Sequence, residues 1–68
     1  MTSLNTQWER MPVSDTLRGY LRGTHQLWSR IDGGEHIFTV RPNGETPGSD
    51  DGGYYSIASA FKTKGMMP

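Results

Sequence analysis

The sequence predicts a small α+β domain in which a β-hairpin packs on one or two short helices. Three observations carry this expectation. Two runs rich in β-branched and aromatic residues, 27–31 and 36–40, flank the turn cluster Asp32-Gly33-Gly34-Glu35, the signature of a hairpin. Ser14-Asp15-Thr16 opens a stretch whose apolar residues recur at helical spacing. Residues 54–64 repeat that spacing with Tyr54, Ile57, Ala58 and Phe61. A small all-β meander or barrel is the alternative architecture.

Residues 1–13 read as an irregular N-terminal arm, and residues 14–68 as one small domain. In the arm, Leu4, Trp8 and Met11 lie four and three apart, but the segment is too short to hold a helix by itself. Trp8 is expected to pack as an anchor, because its ring buries a large apolar area. Pro12 ends whatever precedes it.

A short helix is expected over residues 15–22. Ser14 is placed to accept from the free amides of the first turn, and Asp15 suits the positive helix end. Leu17, Tyr20, Leu21, Thr24, Trp28 and Ile31 continue the spacing. Gly19 and Gly23 oppose a longer helix, each costing roughly 0.5–1 kcal/mol relative to alanine, so Gly23 is read as the stop. A helix reaching Ile31 and a strand over residues 17–21 stay open as rivals.

The hairpin spans residues 26–41 in one of two registers. With Gly33-Gly34 at the turn centre, Ile31 faces His36, Ser29 faces Phe38 and Leu27 faces Val40. With Asp32-Gly33 there, Arg30 faces Glu35 and Trp28 faces Ile37. A one-residue slip changes every partner, and the residues alone do not choose. Both faces carry bulky apolar groups: Trp28 and Ile37 on one, Leu27, Phe38 and Val40 on the other. Each face therefore calls for a cover, one from a helix and the second from another helix or another molecule.

Residues 42–53 concentrate Pro42, Asn43, Gly44, Pro47, Gly48, Gly52 and Gly53 with acidic residues, and read as a flexible Gly/Pro/acidic loop. The final helix has Asp50 and Asp51 ahead of it, Lys62 and Lys64 in its last turn, and Gly65 as its cap. The alternation Tyr55, Ile57, Ser59, Phe61 leaves a strand open there, weakened by the alanines and serines.

Composition narrows the function classes. The chain has 68 residues, seven basic and seven acidic, zero formal net charge and no cysteine. A chain this short buries only roughly 60% of its unfolded surface, so self-association or docking on a larger partner is the economical source of extra stability. Disulfides and thiolate zinc sites are excluded. Zero net charge argues against tight nonspecific binding to nucleic acid or anionic membrane. Four arginines up to Arg30 nevertheless face an acidic central segment, and both read first as solvated surface. The first thirteen residues lack a basic leader and an apolar run, and no stretch approaches a membrane span. A cytoplasmic location without membrane contact is the expectation.

Motifs for chemistry are missing. His25 and His36 lack the spacing of a nucleophile or an oriented acid, so no catalytic residue is assigned. Asp50 and Asp51, with Glu45 and Asn43, fail the calcium-loop pattern, and neither phosphate-loop glycine motif occurs. No metal or cofactor is expected. The leading expectation is a non-enzymatic interaction module, such as an inhibitor, adaptor or accessory subunit. It would dock on a larger protein or a second copy through Trp28, Tyr54, Tyr55 and Trp8, with Met66 and Met67 as adaptable neighbours. The alternative is a small nucleic-acid-binding or regulatory protein using Arg18, Arg22 and Arg30, interleaved with Tyr20, His25 and Trp28. A third reading gives His36 a role in a small enzyme or enzyme subunit.

Overall fold

The hairpin forms, and its turn sets the register. A computed structural model describes residues 7–48 and 50–67. Strands β2 (His25–Asp32) and β3 (Glu35–Pro42) pair antiparallel, with Leu27 opposite Val40, Ser29 opposite Phe38 and Ile31 opposite His36. Gly33 and Gly34 adopt φ of 62° and 86°, the two positive values a type I′ turn requires. That turn matches the right-handed twist of the strands, and it selects the Gly33-Gly34 register over the Asp32-Gly33 one.

The N-terminal arm, expected to be irregular, contributes a third strand. Its residues β1 (Glu9–Arg10) pair antiparallel with β2, Glu9 opposite Ser29 and Arg10 opposite Trp28, giving the sheet order β1-β2-β3. The last bond of this pairing is Met11 N–H to Leu27 C=O at 3.0 Å, and the chain then leaves the sheet through Pro12 toward α1. On the far edge, Tyr54 and Phe38 exchange two backbone hydrogen bonds of 2.7 Å.

Helix α1 (Asp15–Leu21) is capped by Ser14, whose Oγ accepts from Leu17 N–H at 3.3 Å. It stops a residue before the expected end. Arg22 takes the left-handed conformation with φ of 61°, and Gly23 follows at 70°. Thr24 then donates to Leu21 C=O from both N–H and Oγ1. Two consecutive left-handed residues turn the chain into β2 at His25, which rules out both a helix reaching Ile31 and a strand over residues 17–21.

Helix α2 (Ile57–Thr63) is shorter than the expected 54–64. Its N-cap is Ser56, accepting from Ser59 N–H at 3.0 Å, so Asp50 and Asp51 do not cap it. Gly65, at φ 74°, ends it. Met66 N–H donates to Phe61 C=O at 2.8 Å and Gly65 N–H to Lys62 C=O at 3.1 Å, a Schellman closure that folds Met66 back beside Phe61. The residues buried on α2 are Ala60 and Phe61; Ala58 is exposed.

Both helices serve one face of the sheet. Leu27 and Val40 meet Leu21, Ala60, Phe61 and Met66 in a single buried cluster. Phe61 is its centre, fully buried and edge-on to Tyr20 with ring centroids 5.9 Å apart. No described helix is long and apolar enough to cross a membrane.

Candidate functional site

The second face of the sheet carries no helix among the described residues. It is closed by Trp8 and the 43–53 loop. By register, Trp28, Arg30, Ile37 and Thr39 point to this side, and Ile37 and Thr39 are buried there. Trp8 lies under the loop with 9% of its surface exposed. Its Nε1 donates to Gly48 C=O at 3.2 Å, and the Arg30 guanidinium sits over its ring, 5.1 Å from the centroid. The loop comes this close because Gly53 has no side chain. A Cβ there would stand 2.8 Å from Trp8 Cη2 and 3.2 Å from Ile37 Cδ1.

Asp51 ties the loop down from the other end. Its Oδ2 accepts from Thr39 Oγ1 at 3.3 Å, and its Oδ1 accepts from Gly53 N–H at 3.1 Å. Pro47, within the segment, is buried. The segment expected to be flexible is thus tied to the sheet at two points, by the Trp8 indole and by the Asp51 carboxylate.

The four aromatics expected to dock differ in exposure. Trp8 is consumed by the closure just described. Trp28 is half-buried, and its Nε1 is enclosed and unpartnered among the described residues. Tyr54 is half-buried where it bridges to Phe38. Tyr55 is 72% exposed, the most open large hydrophobic residue among those described. It is framed by the Tyr54 bridge before it and the Ser56 cap after it.

The basic strip is not brought together. Arg18 lies on α1, paired with Asp15 at 3.3 Å. Arg22, at the end of α1, reaches Gly65 C=O at 3.5 Å. Arg30 lies on the opposite side of the sheet, over Trp8. Its aromatic partners are likewise divided, with Tyr20 against the helix-side core and Trp28 on the other face.

His36 is exposed near the hairpin turn and stacks on Phe38, ring centroids 6.3 Å apart and 15° from parallel. His25 Nδ1 lies 2.8 Å from Thr24 Oγ1. Neither histidine has a hydrogen bond to an acid among the described residues. No group of three or more His, Asp or Glu among those residues is placed to hold a metal ion.

Sequence reasoning passed over one feature, a groove of about 330 Å³ between α1 and the outer edge of β2. The arm's strand ends ahead of Pro12, and beyond it the start of β2 has no strand beside it on that side among the described residues. Comparison of the chain with protein-family models, with curated proteins and with solved structures finds no match.

Proposed function

We propose that this chain is a small protein-interaction module without catalytic chemistry of its own, docking on a larger protein at the β3 edge through Tyr55. One observation carries the reading: a largely exposed tyrosine held in a framed position, flanked by two backbone bonds to Phe38 and by the first turn of α2. Tyrosine is enriched among residues that dominate binding energy, since its ring gives a large contact area and its hydroxyl a polar handle. A framed backbone loses less freedom on association. Tyr54 beside it supplies a half-buried apolar base. The cytoplasm is kept as its setting, in line with a cysteine-free chain.

Site-specific photo-cross-linking tests this. A benzoyl-phenylalanine replaces Tyr55 in one protein and the exposed Lys62 in another, and both are irradiated in the expressing cell. The reading expects a discrete adduct from position 55, absent from position 62. An adduct of twice the 7.6 kDa chain mass identifies a second copy as the partner. No adduct from position 55, or the same ladder from both positions, refutes it.

A further inference from the structure

We infer that the groove between α1 and the outer edge of β2 takes a short extended peptide segment carrying acidic side chains, added to the sheet beside His25. This goes beyond the Tyr55 reading, since the groove lies at the β1 side of the sheet and Tyr55 at the β3 side. The chain's own topology creates the opening. On β2, Thr24 C=O accepts from Asn43 N–H on the β3 side at 2.9 Å, while Leu27 C=O accepts from Met11 N–H on the β1 side at 3.0 Å. Backbone groups alternate along a strand, so the N–H and C=O of His25 project to the β1 side. There β1 has already ended, and among the described residues no backbone bond joins His25 to Val13, which the register would place opposite it. His25 therefore presents a donor and an acceptor at a sheet edge, the arrangement that strand addition uses.

The groove beside this edge has a floor and a charge. Leu21 and Leu27 are buried beneath it, Met11 and Val13 half-buried at its wall. An apolar side chain on one face of an added strand can cover that floor. Arg10 and Arg18 line the groove, and no Asp or Glu does so among the described residues. Among the described residues Arg18 is held by Asp15, in an exposed pair of the kind that contributes little. The complementary occupant is negatively charged.

A peptide fits better than a polyanion. The chain has zero net charge, which provides no long-range field for nucleic acid, and an exposed strand edge matches peptide backbone rather than phosphate. The acidic loop of a second copy is not the occupant, because that loop is bound to its own sheet through Trp8 and Thr39.

The test is an amide-shift titration of the isotope-labelled chain with three probes: a peptide alternating valine and glutamate, the same peptide with lysine for glutamate, and oligothymidylate. The inference expects saturable shifts at His25, Leu27 and Met11 with the glutamate peptide alone. It expects affinity to fall about tenfold or more in the Arg10→Glu/Arg18→Glu double variant, and binding to be lost when the peptide's backbone nitrogens are methylated. No saturation, equal binding of the lysine peptide, displacement by oligothymidylate, or indifference to the charge reversal overturns it. Shifts confined to Tyr54 and Tyr55 also overturn it, while leaving the reading of that edge standing.

Discussion

The indole of Trp8 donates a hydrogen bond to the carbonyl of Gly48, 3.2 Å away and forty positions along the chain. That contact joins the N-terminal arm to the loop and closes the sheet face the helices leave open. Removing it is expected to be severe. Trp8→Ala forfeits a buried aromatic, a loss of about 3–5 kcal/mol, which rivals the whole stability of a domain this small. Trp8→Phe keeps most of the packing and loses chiefly the hydrogen bond, about 1 kcal/mol. Urea denaturation followed by circular dichroism ranks the two. Equal midpoints for Trp8→Ala and the parent would mean the ring is not packed as described.

Gly53 and Gly44 both have positive φ, 69° and 87°, but only Gly53 is crowded. Alanine at either position meets the left-handed backbone cost of about 1–2 kcal/mol. At Gly53 the new methyl also drives into Trp8 and Ile37, adding about 1–3 kcal/mol. The expected order of stability is parent, then Gly44→Ala, then Gly53→Ala, read from denaturation midpoints.

At the hairpin turn the expected signs are opposite at adjacent positions. Gly33, at φ 62° with open space around its Cα, accepts asparagine, the residue favoured at the first central site of a type I′ turn. Gly33→Asn should stabilise by about 0.4–1 kcal/mol, because it restricts the unfolded chain. Gly34→Val, at φ 86°, forces a β-branched residue into a conformation it avoids and should destabilise by about 1–2 kcal/mol. Thermal melts of the two variants check both signs.

Asp51 and Asp50 are neighbours with unequal work. Asp51→Ala removes the bonds to Thr39 Oγ1 and Gly53 N–H and leaves the buried hydroxyl unpaired, an expected loss of about 1–3 kcal/mol. Asp50→Ala, at an exposed position, should fall within about 0.5 kcal/mol of the parent. Amide exchange at Gly53 should accelerate in the first variant and not in the second.

What was legible in the sequence was local. The hairpin, the Ser14 cap and the Gly65 stop each depend on residues within a few positions of one another, and each formed. The choice of hairpin register needed the φ values of Gly33 and Gly34, which either register's residues allow. The cover on the second face was not legible, because it joins Trp8 to Gly48 and Gly53 across most of the chain. Gly53 looked like a turn glycine, and its actual role is to leave room for a ring. The same long-range closure ties the loop to the sheet through Trp8 and Asp51. It also buries Trp8, one of the four aromatics expected to dock, while Tyr55 stays exposed.

The exposure of Trp8 in solution tests the closure of the second sheet face most directly. In a Trp28→Phe variant, Trp8 is the sole indole, and acrylamide quenching of its fluorescence reports its access to solvent directly. Blue-shifted emission and quenching far below that of free indole are expected, with the sheet face closed over Trp8. Emission and quenching like those of free indole would contradict it, because the face bearing Ile37 and Thr39 would then be open.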